Sequence, residues 1–213
     1  IAVEQAEDEI AAINMAIGAS YTGARSMTGT SGGGFSLKVE ALGLAGMAEV
    51  PLVVVDVQRP GPVTGLPTRT EQSDLKFIIS ASQGEFPRMV LALRHHEDAY
   101  LQTIRAFNLA EKYQIPVILL SDQYLADSTA TIPVPDPAKA EIFVPQDVPA
   151  NGDYARYRYT ESGISPRKFP GTREGFVSAD SDEHYEYGKI IEDSETRIRM
   201  MNKRMGKLEL LRE

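Results

Sequence analysis

Arg59 sits between Gln58 and Pro60 at the head of a stretch that reads DVQRPGPVTGLPTRTEQSD, residues 56–74. Pro60, Pro62 and Pro67 stiffen the backbone around it, and a rigid loop loses little entropy when it binds. An arginine held in this way can grip a carboxylate with two parallel hydrogen bonds. Thr64 and Thr68 add hydroxyl groups, while Gly61 and Gly65 allow close approach. The plainer reading is a solvated arginine on a connection. Structureless loops of this length inside a compact domain are uncommon unless functional, which favours binding. A second candidate is the glycine turn Thr30-Ser31-Gly32-Gly33-Gly34, which follows a strand pattern and precedes a helix pattern, the geometry of a phosphate cradle. Leu37 stands where the dinucleotide fingerprint needs its third glycine, and Phe35 stands where a P-loop needs lysine, so both named motifs fail. What remains is a backbone that lets a ligand come close, or a simple turn. The third candidate is the run Glu7-Asp8-Glu9. Carboxylates at a helix start are each worth about 0.3–1 kcal/mol against the helix dipole. A buried glutamate there could instead hold a protonated ring nitrogen of a cofactor. His95 and His96 precede an acidic helix start and read as surface residues. His184, within DEHYEYG, is a weak metal pattern for which packing or a solvated turn is the better reading. No Ser-His-Asp arrangement is visible.

The elements that must position these residues alternate. Ile10, Ile13 and Ile17 recur at helical spacing. ARSMTGT reads as a short strand, residues 35–47 as a helix, and PLVVVDV as a continuous apolar strand of the type buried on both faces. PRMVLAL is a further strand, residues 97–113 a helix with Tyr100, Ile104 and Phe107 on one face, and IPVILLSD a last strand. Such alternation predicts an α/β fold with a mostly parallel sheet flanked by helices. Ligands of such sheets sit at the carboxyl ends of the strands. The glycine turn, the 56–74 loop and SDQYL all follow strands and can share that edge. The division expected is a first domain over residues 1–125 and an irregular, proline-rich C-terminal arm over 126–213. That arm ends in an exposed helix of mixed charge at about 192–212.

Composition narrows the chemistry. The 213 residues carry a net charge of −8, which argues against nucleic acid as a main partner and gives no membrane-surface signal. With no cysteine, the chain can supply neither disulfides nor thiolate ligands to an iron–sulfur cluster. No run approaches the roughly 20 apolar residues of a membrane span. The chain starts at Ile1 with nothing resembling a signal peptide, which points weakly to the cytoplasm and to a missing natural start.

Four stretches taken together resemble a known family. QAEDEIAAINMAIGASYTGARSMTGTSGGGFSL, DVQRPGPVTGLPTRTEQSDL, GEFPRMVLA and AFNLAEKYQIPVILLSDQYL are similar to the alpha subunit of 2-oxoacid:ferredoxin oxidoreductases, above all the 2-oxoglutarate (KorA-like) type. The tail stretches SPRKFPG, DEHYEYG and EDSETRIRMMNKRMGKLE fit the segment that follows in those subunits. The resemblance implies the thiamine-diphosphate-binding fold, with this chain holding the cofactor's aminopyrimidine. A partner beta subunit would supply the diphosphate and magnesium site, and further subunits the iron–sulfur clusters. It implies that Glu7 hydrogen-bonds the pyrimidine ring, that Ser31, Gly32, Gly33 and Gly34 line the cofactor pocket, and that Arg59 and Thr64 hold the substrate carboxylate. The activity implied is oxidative decarboxylation of a 2-oxoacid to an acyl-coenzyme A with reduction of ferredoxin. Pyruvate or a branched 2-oxoacid, and a non-catalytic assembly subunit, are the alternatives. The family's upstream YPITP-like stretch and its second alpha-subunit domain are absent from the chain. LALRHHEDAY and GTREGFVSAD depart from the family pattern.

Overall fold

Four short strands carry the architecture, and the two central ones are apolar on both sides because helices cover both faces of the sheet. The computed structural model describes residues 1–67, 69–149, 153–172 and 175–212; Thr68 lies outside them. In chain order the elements of the first half are α1 (Glu9–Tyr21), β1 (Met27–Ser31), α2 (Gly34–Met47), β2 (Leu52–Gln58), α3 (Leu75–Ser80), β3 (Met89–Ala92), α4 (His96–Tyr113), β4 (Pro116–Asp122) and α5 (Gln123–Asp127). All pairings are parallel and the strand order is β1-β2-β4-β3. The α/β expectation is met, including every anticipated strand. The short helices α3 and α5 carry too few residues to show a helical period and were not anticipated.

Alternation along β2 and β4 divides the core. Leu52, Val54, Ile118 and Leu120 join Ile13, Phe35 and Leu42 under α1 and α2. Val53, Val117 and Leu119 face Ala106 and Ala110 of α4. The first connection leads from β1 to its neighbour β2. The next leads from β2 past β4 to the far edge, and the chain then returns. The chain therefore reverses direction at β3, the edge strand.

Among the described residues, 128–149, 153–172 and 175–193 are irregular apart from a short 3-10 turn at Pro137–Lys139. The terminal helix α6 (Ser194–Leu210) corrects the expectation of an exposed helix: Met200, Lys203, Arg204 and Lys207 are buried. The lysine ammonium groups of Lys203 and Lys207 each lie 2.5 Å from an oxygen of Glu49, just before β2. Arg156 joins them by donating to the Glu49 carbonyl and to Gln114 Oε1, just before β4. Arg167 pairs with Glu111 at 2.7 Å and donates to the Ser20 carbonyl. The arm thus closes the amino edge of the sheet and leaves the carboxyl edge open. His184 is fully buried and stacks on Tyr157 at 4.0 Å, so packing is its role here.

Burial by itself raises the Glu49 carboxyl, but Lys207, Lys203 and Arg156 outweigh it and hold the group well below the usual carboxylate range. Its folded value is depressed, so its contribution to stability is present above the unfolded value and fades as pH falls below about 4.5. Glu49→Gln leaves two buried ammonium groups without their counter-charge. The expected cost is about 3–5 kcal/mol, read as a lower urea midpoint at neutral pH with an unchanged slope. An unchanged midpoint would show that α6 docks without this cluster.

Candidate active site at the carboxyl edge of the sheet

The turn after β1 is the floor of the site. Gly32 has φ +49°, and a side chain there would meet the Arg59 Cγ at 2.4 Å, so glycine is required by both backbone and space. Arg59 follows β2 directly. Its guanidinium reaches back across the parallel pair to donate to Ser31 Oγ at 3.1 Å, while its Nε is buried with no hydrogen-bond partner. The Val63 carbonyl lies over Gly33, so the proline-rich loop covers the glycine turn. At the other end of the turn, Thr30 Oγ1 donates to Glu9 Oε1 at 3.4 Å. A Cβ at Gly34 would stand 2.5 Å from that same glutamate oxygen. Two side chains from distant parts of the sequence therefore converge on one five-residue segment.

The carboxylate that converges is Glu9. Asp8 caps α1, its Oδ1 accepting from the Ala11 amide at 2.7 Å, which fixes where the helix begins. Glu9 then falls one helical turn before Ile13, on the stripe that continues through Ala16, Ile17 and Ser20 into the core. Glu7 precedes the cap and is exposed in this chain taken alone. Ile10 likewise faces outward, half exposed. Glu9 Oε2 has no hydrogen-bond partner among the described residues. Below it, the fully buried Lys38 donates to the Glu9 carbonyl at 3.2 Å and to Thr28 Oγ1 at 2.9 Å. Burial lowers the Lys38 ammonium, opposed by Glu9 and Asp8. No sequence pattern marks Lys38, because a lysine in a helix normally faces solvent.

Thr64 is exposed on the loop, within the same segment as Arg59 but with no hydrogen bond among the described residues. His95 and His96 lie on the opposite helix; His95 caps α4, and His96 meets the Ser128 carbonyl.

Beneath Arg59 lies a group that the sequence reading passed over. Asp56, near the end of β2, is fully buried. Burial and the adjacent Asp74 carboxyl raise it to about 7, against the Gly32 amide and Arg59. Burial also raises Asp74. Gln58 ties the loop end to the sheet, donating to the Ser121 carbonyl and accepting from the Asp74 amide. Two surface grooves, of about 360 Å³ along α4 and about 290 Å³ between α2 and α6, lie away from this edge. The site itself is an open face.

An acceptor carboxylate beside a glycine turn fits a flat heteroaromatic ring that donates hydrogen bonds at its edge. A guanidinium on the same floor fits an organic anion. Among the described residues there is no group of three or more His, Asp or Glu that could hold a metal ion, and no helix long and apolar enough to cross a membrane.

Comparison with known proteins places the chain in a family. Residues 1–203 match the family described as "Pyruvate flavodoxin/ferredoxin oxidoreductase, thiamine diP-bdg". The chain is 54% identical over 216 residues to the alpha subunit of 2-oxoacid:ferredoxin oxidoreductase 1 from Sulfurisphaera tokodaii, covering 99% of this chain and 34% of that one. It is 52% identical over 132 residues to 2-oxoglutarate oxidoreductase subunit KorA of Mycobacterium tuberculosis, covering 62% of this chain and 20% of that one. Among solved structures, it superposes with a TM-score of 0.93 and 47% identity on the 2-oxoglutarate:ferredoxin oxidoreductase from Magnetococcus marinus, solved with 2-oxoglutarate, coenzyme A and succinyl-CoA bound. That match covers 97% of this chain and 36% of the other. The chain spans about a third of the length of the Sulfurisphaera tokodaii and Magnetococcus marinus proteins it matches.

Proposed function

Because this chain belongs to the pyruvate flavodoxin/ferredoxin oxidoreductase family, in its thiamine-diphosphate-binding part, we propose that it forms the pyrimidine-side half of a shared active site. The whole enzyme then oxidatively decarboxylates a 2-oxoacid, 2-oxoglutarate above others, to its acyl-coenzyme A and passes the electrons to ferredoxin. The observation that carries the reading is the convergence of Glu9 and Arg59 on the Thr30–Gly34 turn.

Thiamine diphosphate, when bound, supplies the nucleophilic carbon and the electron sink that decarboxylation of a 2-oxoacid needs. Glu9 would hold the pyrimidine edge through the oxygen not engaged by Thr30. Removed from bulk water, such a contact is strong and its loss costly. Ser31 and Gly32 to Gly34 form the floor under the ring, where a side chain at Gly32 would collide with Arg59, at Gly33 with the Val63 carbonyl and at Gly34 with Thr30 and Glu9. Arg59 grips the substrate carboxylate, with Thr64 on the same loop as a further hydroxyl. The diphosphate, its magnesium and the iron–sulfur clusters belong to partner subunits, among them the beta subunit. An acidic chain without cysteine, open at one edge of its sheet, is consistent with that division. Ferredoxin and coenzyme A are then partners of the whole assembly.

The test is a decarboxylation assay of the assembled oxidoreductase with coenzyme A and ferredoxin over 2-oxoglutarate, pyruvate and a branched 2-oxoacid. The highest kcat/KM is expected for 2-oxoglutarate. A preference for pyruvate would move the reading to the other branch of the family, and no turnover of any 2-oxoacid would remove it.

A further inference from the structure

The loop that carries Arg59 rests on an unusual support. Among the described buried side-chain atoms without a hydrogen-bond partner, four lie together here: both oxygens of Asp56, Asp74 Oδ2 and Arg59 Nε. Buried polar atoms are rarely left unpaired, because each costs about 1–3 kcal/mol. Asp56 and Asp74 face each other within hydrogen-bonding reach. Two ionised carboxylates are acceptors only and cannot satisfy one another. One proton between them converts the pair into a donor and an acceptor, and removes the repulsion of two like charges away from water.

We propose that Asp56 and Asp74 share a single proton, and that this hydrogen-bonded pair holds the 59–74 segment down on the sheet so that Arg59 stays aimed at the glycine turn. The pair spans the loop from end to end. Asp56 is in β2, three residues before Arg59, and Asp74 immediately precedes α3. Gln58 adds a second tie by accepting from the Asp74 amide. Asp56 and Asp74 are positioning residues: they act on substrate through Arg59.

The charged groups that face the pair are few. Arg59 acts on both members, and Glu71 acts on Asp74. The Gly32 amide approaches Asp56 from the glycine turn. Its register partners, Thr30 on β1 and Leu120 on β4, do not titrate. At the end of β4, Asp122 holds Gln72 of the loop. The proton is bound more tightly with the loop down than with the loop released into water. The closed arrangement is therefore favoured below the neutral range and lost as the pH rises through it. Grip on an anionic substrate weakens in the same direction.

This inference rests on the proposal that Arg59 binds the substrate carboxylate, and the experiment separates the two. The assembled oxidoreductase is titrated by infrared difference spectroscopy, and the KM for 2-oxoglutarate is measured from about pH 6 to about pH 9. The wild type should show a carboxylic-acid band that disappears as the pH rises through neutrality. That band should be absent in Asp56→Asn and in Asp74→Asn. The wild-type KM should rise about tenfold over the same range. In Asp56→Asn it should change less than about twofold, because the amide supplies the shared hydrogen bond at every pH. The kcat of this variant should stay near that of the wild type. A wild-type spectrum with no protonated carboxyl near neutrality overturns the shared proton. A KM profile in Asp56→Asn that tracks the wild type overturns the link to Arg59. A wild-type KM in Arg59→Ala, with the band intact, would instead remove the arginine's role in binding and with it the kinetic consequence.

Discussion

Glu9→Gln in the assembled oxidoreductase is expected to lower kcat by about 10²–10⁴-fold, the range typical of losing a group that handles a proton in the reaction. Glu7→Gln is expected to stay within about threefold of wild type, as for an exposed surface charge. Both substitutions keep the side-chain shape and remove one negative charge, so their comparison isolates position. Glu9 accepts from Thr30 and lies against Gly34, whereas Glu7 is exposed ahead of the helix cap. The Gln variant keeps the link from Lys38, because that ammonium donates to the Glu9 backbone carbonyl and not to its side chain. The fold at the start of α1 should therefore survive, and thermal unfolding can confirm it. Calorimetry of cofactor binding gives a second readout, in which Glu9→Gln should weaken affinity and Glu7→Gln should not. The reverse ordering of the two variants would return the role to Glu7, and wild-type behaviour in both would take the acidic run out of the mechanism.

Arg59→Ala should reduce kcat/KM for the 2-oxoacid by about 10²-fold or more, chiefly through KM, as expected when one charge-assisted, bidentate partner is lost. Arg59→Lys should recover only part of the loss. A lysine delivers a point charge and cannot present two parallel donors to one carboxylate. Neither change should abolish assembly, since among the described residues the Arg59 side chain makes one hydrogen bond, to Ser31 Oγ. If the alanine variant instead lost its partner subunits while the surviving complex kept its KM, the loop would be an assembly element.

The positions of the strands, of the three long helices that flank the sheet and of the irregular proline-rich loop were all legible in the sequence. Val53 to Val55, and the run from Pro116 to Leu120, are too apolar to sit anywhere but inside a sheet covered on both faces. Three prolines and two glycines around Arg59 leave no regular alternative. The four-residue β3 was anticipated as PRMVLAL, and its edge position follows only from strand order. Legibility failed where a residue's surroundings come from far along the chain. The basic residues of α6 alternate with polar ones as they would on a solvated helix, and nothing local to them announces Glu49, more than 150 positions earlier. Asp56 interrupts an apolar strand by one residue, and its partner Asp74 belongs to the far end of a loop.

The amino-acid order by itself determined a parallel α/β sheet, a glycine turn and a rigid arginine loop at its carboxyl edge, because helical and strand periods, prolines and glycines act over a few neighbouring residues. The folded chain alone decided which carboxylate meets that turn, that Lys38 lies buried beneath it, and that two aspartates face each other under the arginine. Those outcomes depend on burial and on charges brought together from separate segments, and neither is written in local spacing.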